Sequence, residues 1–170
     1  MKNRLNYLIE IPGRCEMKKT YVGIDPGASG AIGFIFPNGS YTVVDCPNTL
    51  RGMWDILLSE DTTEMVAAVE KVNPYFKSSA KSAFTFGENN AAWKMLLTCL
   101  KIPYHLVAPR VWQKVVYDSA KKLDNPKLQS FELASRLFPD LVFKTKRGKI
   151  IDGRSDAILI SLYAKRTWGE

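Results

Sequence analysis

The stretch from Thr20 to Asp45 constrains the fold more than any other part of the chain. Two β-type runs, Thr20-Tyr-Val-Gly-Ile-Asp25 and residues 31–36, are followed by Pro37-Asn-Gly-Ser40 and a third run, Tyr41–Asp45. Asn38-Gly39 suits a tight hairpin, so the three runs predict an antiparallel meander. The pattern then changes. Leu50, Met53, Trp54, Leu57 and Leu58 recur at helical spacing, and residues 65–72 form a compact apolar run that reads as a buried strand ending in Glu70-Lys71. A long helix is expected over about 79–100, where Phe84, Ala91, Met95 and Thr98 recur near the helical period, and residues 101–107 return as a strand. That strand–helix–strand passage predicts a parallel, right-handed crossover. Short helices are expected near 109–116 and 126–138, and a last one from about 152 to 168. The expected class is α/β: a mixed five-stranded sheet, three strands antiparallel and then two parallel, with helices on both faces.

A chain of 170 residues with 46% hydrophobic content fits one domain and one packed core. Residues 17–170 are expected to form it, because Met17-Lys-Lys immediately precedes the first strong strand; residues 1–16 read as an extension without an assigned role. No apolar run approaches the ~20 residues of a membrane span, and the charges scattered through residues 1–16 argue against a secretory signal. Cys15, Cys46 and Cys99 are odd in number and far apart, which fits neither a zinc knuckle nor a disulfide framework. The expected compartment is reducing and intracellular, the cytoplasm.

Four carboxylates stand out by context. Asp25 ends an apolar strand at an Asp-Pro-Gly turn, which should put its side chain at the sheet's edge. Glu70 interrupts Val66-Ala-Ala-Val-Glu70, where an acid is costly unless paired, protonated or bound to a cation. Asp152 and Asp156 share one helix face, with Cβ atoms ~6 Å apart. Each alone has a plainer explanation: a turn residue, a partner of a buried Arg or Lys, a favourable charge at a helix N-terminus. Together they suit hard divalent cations such as Mg²⁺, whose natural ligands are carboxylate oxygens. Two such ions roughly 4 Å apart can promote phosphodiester cleavage. The net charge is +7, and Lys144-Thr-Lys-Arg-Gly-Lys149, with Arg154 close behind, concentrates positive charge immediately beside Asp152 and Asp156. A basic surface there fits a phosphate-bearing partner, and a solvated loop is the plain alternative.

The ordered set resembles the RuvC family of Holliday junction resolvases, within the RNase H-like superfamily. The opening signature is Tyr21-Val-Gly-Ile-Asp-Pro-Gly-Ala-Ser-Gly-Ala-Ile-Gly-Phe34. The second acid ends a later strand in Val66-Ala-Ala-Val-Glu-Lys71, and the last acids open a helix in Asp152-Gly-Arg-Ser-Asp-Ala-Ile-Leu-Ile160. Phe86-Gly87 and Ile102-Pro-Tyr-His-Leu-Val-Ala-Pro-Arg-Val-Trp-Gln-Lys114 look like the family's central helix and following strand, so the likeness runs over about residues 17–165. The four-residue spacing of Asp152 and Asp156, against three in bacterial cellular members, looks more like resolvases of phages.

The resemblance implies a homodimeric endonuclease that nicks opposed strands of a four-way DNA junction. Asp25, Glu70, Asp152 and Asp156 would hold two Mg²⁺ ions, with Mn²⁺ as an alternative, and hydrolysis would leave a 3′-hydroxyl and a 5′-phosphate. The central helix, with Phe84, Trp93 and Met95, is the expected dimer interface. Tyr75 and Phe76 could stack on unpaired bases. Lys77, Lys81, Lys114, Lys146, Arg147 and Lys149 are candidate phosphate contacts, with Lys149 and Arg154 nearest the metals. His105, the only histidine, is read as structural on a buried strand. Rival readings are an RNase H acting on RNA–DNA hybrids, a nuclease acting on flap DNA, a non-catalytic DNA-binding module, and an ATP-using protein of the actin and sugar-kinase group. The last needs a second phosphate loop and an adenosine motif, for which the chain is too short.

Overall fold

The computed structural model describes residues 19–27, 29–60, 64–71, 80–117 and 123–169. Five strands, β1 (Thr20–Asp25), β2 (Ala31–Ile35), β3 (Tyr41–Asp45), β4 (Met65–Glu70) and β5 (Tyr104–Val107), form one sheet in the order β3-β2-β1-β4-β5. The pairs β1–β2 and β2–β3 are antiparallel, and β1–β4 and β4–β5 are parallel. Five helices accompany them: α1 (Leu50–Leu58), α2 (Ala80–Cys99), α3 (Pro109–Val116), α4 (Pro126–Leu137) and α5 (Asp152–Trp168). The mixed sheet with helices on both faces is the architecture expected from the sequence.

Strand alternation divides the core into two layers. Val22, Ile24, Ala67 and Val69 point to α1 and α2, where they meet Met53, Leu57, Trp93 and Leu97. Tyr21 and Ala68 point the other way, toward Trp112, Leu133, Ile158 and Tyr163 of α3, α4 and α5. By the same alternation Asp25 and Glu70 face the α3–α5 side. Helix α5 lies directly on the backbone there. Gly23 and Gly33 are cross-strand partners, and a Cβ on Gly23 would stand 2.2 Å from the Ser161 amide nitrogen and 2.3 Å from the Ala157 carbonyl oxygen. Two glycines side by side make the trough that receives the helix. Gly23→Ala should therefore lift α5 and cost ~1–3 kcal/mol, read as a lower midpoint in thermal unfolding.

Three details differ from expectation. The 36–40 turn leaves only Gly39 at positive φ (86°), with Gly39 N–H bonded to the Phe36 carbonyl and Phe36 N–H to that of Ser40. It is a turn closed by a left-handed glycine rather than a two-residue loop needing positive φ at both Asn38 and Gly39. Strand β5 starts at Tyr104 because residues 100–102 cap α2. Lys101 takes φ 57°, and the Ile102 amide reaches back to the Leu97 carbonyl. In α2, the buried face is Ala92, Trp93, Leu96 and Leu97, while Phe84 (68% exposed), Ala91, Met95 (54%) and Thr98 form a stripe facing away from the core. The helical period was right and its apolar stripe is the unburied side. Trp93, expected at an interface, is wholly in the core.

Candidate active site

Asp25 and Glu70 end neighbouring parallel strands. The last paired residues of β1 and β4 are Ile24 and Val69, so the two acids follow side by side at the carboxyl ends of the strands. In open α/β sheets that rim is where ligands gather. Strand β1 is central rather than peripheral, so Asp25 sits at the end of the sheet and not on an edge strand.

Close backbone packing brings the other two acids to the same rim. Gly153, between them, abuts the turn after β1: a Cβ there would lie 2.2 Å from the Ser29 carbonyl oxygen and 2.8 Å from Gly30 Cα. Gly30 in turn has no room for a Cβ against the Asp25 carbonyl, which would be 2.0 Å away. The first turn of α5 is thereby pinned to the loop that carries Asp25.

The electrostatics report a common neighbourhood. Burial pushes the Asp25 carboxyl up to about 7, helped by Glu70 and Asp152, and the Gly27 amide only partly opposes this. Asp156 is also pushed up to about 7, first by burial and then by Asp25 and Asp152, against the opposing Ser130 hydroxyl and Lys127. Glu70 is raised by burial and by Asp156, while the Trp112 indole N–H favours its charged form. Four acids thus crowd one region, and Asp156 Oδ1 is buried with no hydrogen-bond partner.

Three of the four carboxylates also have a hydrogen-bond partner. Trp112 Nε1 donates to Glu70 Oε1 at 2.8 Å, Lys127 Nζ to Asp152 Oδ2 at 2.6 Å, and Gly27 N–H weakly to Asp25 Oδ1 at 3.4 Å. Tyr117 Oη lies 2.7 Å from Ser130 Oγ, beside Asp156. Among the described residues no group of three or more His, Cys, Asp and Glu side chains stands close enough together, as placed, to hold a metal ion.

Lys127, Trp112, Ser130 and Tyr117 were not legible as site residues. Asn125 caps α4 through its side chain, accepting from the Lys127 and Leu128 amides, and Pro126 opens the helix. This start signal is visible in the sequence. Nothing local says that the first turn of α4 points at Asp152.

The basic candidates separate into two groups. Lys146, Arg147 and Lys149 are exposed on a hairpin closed by the Lys144–Ile150 bridge, with Gly148 at φ 81° and the Thr145 amide bonded to the Lys149 carbonyl. Lys114 is exposed in the last turn of α3. Arg154 is instead engaged within the protein: its guanidinium makes a two-pronged pair with Asp45 at 2.6 and 2.8 Å and donates to the Val142 carbonyl at 2.9 Å. That arrangement ties α5 to the end of β3, and it holds Asp45 below the usual carboxylate range. Arg154→Ala should lower stability by ~1 kcal/mol, the pair being partly solvated, read as a lower midpoint in thermal unfolding.

Tyr75, Phe76 and Lys77 lie outside the described residues, and for Lys81 only its backbone position in α2 is described. His105 is exposed on β5, an edge strand, and its ring meets Trp168 at 4.5 Å between centroids, so the expected burial is corrected. No helix among the described residues is long and apolar enough to cross a membrane.

No family model matches the sequence, and no curated protein matches it. Solved structures do. A structure of Thermus thermophilus RuvC superposes with a TM-score of 0.56 at 12% identity, covering 88% of this chain and 97% of that one. Another, of Thermus thermophilus RuvC in complex with a Holliday junction substrate, gives a TM-score of 0.55 at 14% identity with the same coverages. The fold is that of RuvC. Identities this low establish architecture, and chemistry has to be argued from the site itself.

Proposed function

We propose that the chain is a metal-dependent, structure-selective DNA endonuclease that cuts opposed strands of a four-way junction. The observation that carries this reading is the set of four carboxylates at one sheet rim, at the ends of β1 and β4 and the start of α5. Burial and mutual repulsion hold two of them protonated up to about 7. Such a group is poorly stabilised by its own protein. The donor set is all oxygen, and Asp156 Oδ1 is buried without a partner, which suits a hard divalent cation. Asp25, Glu70, Asp152 and Asp156 would hold two ions, Mg²⁺ with Mn²⁺ as the alternative. When bound, these would supply charge neutralisation and a nucleophile at neutral pH.

The chain's own residues contribute the rest. Lys127, 2.6 Å from Asp152, adds a fixed positive charge beside the acids, where a phosphate would approach. Lys146, Arg147 and Lys149 on the hairpin, with Lys114, are read as phosphate contacts along a DNA arm, and Tyr75, Phe76, Lys77 and Lys81, which follow Glu70 in the sequence, remain candidates. The exposed stripe of Phe84, Ala91 and Met95 on α2 supports a homodimer, which would present two sites to two strands. The resolved likeness to a junction-bound RuvC and the four-residue spacing of the last acids support, respectively, branched DNA as substrate and a phage-type branch.

The test is incubation with a synthetic four-way junction and Mg²⁺, beside an RNA–DNA hybrid and a flap duplex. Paired nicks in the junction alone are expected; cutting of the hybrid alone would replace this reading by an RNase H. Because cations displaced from phosphates make binding salt-dependent, replacing Lys146, Arg147 and Lys149 together by Ala should flatten the slope of log K against log[salt] by about 0.9 per lost contact.

A further inference from the structure

We propose that α3 and α4 form a positioning layer behind the acids, in which Trp112 orients Glu70 and the Tyr117–Ser130 pair orients Asp156. The inference rests on the nuclease reading above. Trp112 is fully buried, where an unpaired indole N–H is costly. It finds Glu70 Oε1 at 2.8 Å. A carboxylate with one oxygen held by a rigid, buried indole has little freedom to turn. No described residue donates to its second oxygen, which is left for another partner.

The second arm has a defined direction. The Ser130 hydroxyl favours the charged form of Asp156, and once that carboxylate is ionised, as on a bound cation, it can only accept, so any proton shared between the two comes from the serine. With the serine proton so engaged, the 2.7 Å contact between Tyr117 Oη and Ser130 Oγ, in which either hydroxyl can donate, would run from the phenol to the serine. Tyr117 therefore acts on Asp156 through Ser130. The two arms are coupled, since Tyr117 directly follows α3 and its ring meets that of Trp112 edge-on at 5.9 Å and 71°. Partners of metal-binding carboxylates in this sense fix the ligands and tune affinity. None of the three touches a reacting atom in this scheme, so they are positioning residues.

Trp112→Phe keeps the ring and removes the donor; Tyr117→Phe removes only a hydroxyl. Mn²⁺ binding to metal-free protein is measured by calorimetry, together with the Mg²⁺ concentration for half-maximal junction cleavage, junction affinity in EDTA, and the unfolding midpoint. Each variant is expected to bind Mn²⁺ roughly 10–100-fold more weakly and to need correspondingly more Mg²⁺, with junction affinity in EDTA unchanged. A lower unfolding midpoint with wild-type Mn²⁺ affinity and Mg²⁺ dependence would overturn the proposal and leave these residues as core packing. Should Trp112→Phe fail to fold, Tyr117→Phe decides. A wild-type protein that binds Mn²⁺ without cutting any junction refutes the nuclease reading alone, because the calorimetric comparison still stands. One that binds no Mn²⁺ refutes both.

Discussion

Asp25→Asn will stop junction cleavage while leaving junction binding intact. Asp25 sits between Glu70 and the first turn of α5, and its carboxyl responds to both Glu70 and Asp152. It is the acid best set to be shared by two cations. An amide of the same shape keeps an oxygen for the Gly27 amide and loses the charge that binds the metal. Changes in residues that merely support metal ligands cost about 10–100-fold, so loss of a shared ligand should cost ~100-fold or more in rate. The proposed phosphate contacts lie elsewhere, on the hairpin and on α3, so affinity for the junction in EDTA should stay within about twofold, since none of those contacts is removed. Gel assays of nicking and of binding separate the two. Equal cutting by mutant and wild type would remove Asp25 from the chemistry.

The same substitution should stabilise the metal-free protein at alkaline pH. Asp25 and Asp156 have folded-state values of about 7 against an ordinary 3.8. Between those limits the native state keeps protons that the unfolded chain has released, so metal-free stability falls as pH rises from about 4 to about 7 and stays low above it. One carboxyl moved that far is worth up to ~4 kcal/mol. The sum for both is smaller than twice this, since each contributes to the other's repulsion. Asp45, held low by Arg154, acts in the opposite sense, but only below that window. In chemical or thermal unfolding at pH 8 without metal, Asp25→Asn should therefore exceed wild type by roughly 2 kcal/mol, or ~4–8 °C for a domain of this size. Wild type should recover on adding Mg²⁺, by ~2.7 kcal/mol at a hundredfold excess over its Kd. A mutant less stable than wild type at pH 8 would mean that the carboxylate at position 25 is structural.

Much of this molecule could be read from local pattern. The meander, the crossover and the final helix follow from periodicities of two and 3.6 and from turn chemistry, which are properties of neighbours in sequence. The acids were noticeable for a related reason: Glu70 breaks an apolar run, and Asp152 and Asp156 repeat at one helical turn. Hydrophobic period could not say which stripe of α2 is buried. Phe84, Ala91, Met95 and Thr98 recur as faithfully as Trp93, Leu96 and Leu97, and only the sheet's position on one side of the helix chose between them. The basic hairpin gave up its charge but not its shape, because its closure depends on pairing Lys144 with Ile150.

The sequence by itself determined the order of elements and the four acids, because strand alternation and helix spacing assign each acid to a face before anything packs. Only the tertiary structure decided what surrounds them. Gly23, Gly33 and Gly153 let α5 rest on bare backbone, and that contact sets the distance between two helix-borne acids and two strand-borne ones. Lys127 meets Asp152 between two helices, Trp112 meets Glu70 between helix and sheet, and Tyr117 pairs with Ser130 of another helix, all across long stretches of chain. Pairings of that kind carry no periodic signal, since they depend on how helices lie on a sheet and not on which residues are adjacent. The same reason accounts for Arg154, whose neighbours in sequence suggested a phosphate and whose neighbours in space are Asp45 and the Val142 carbonyl.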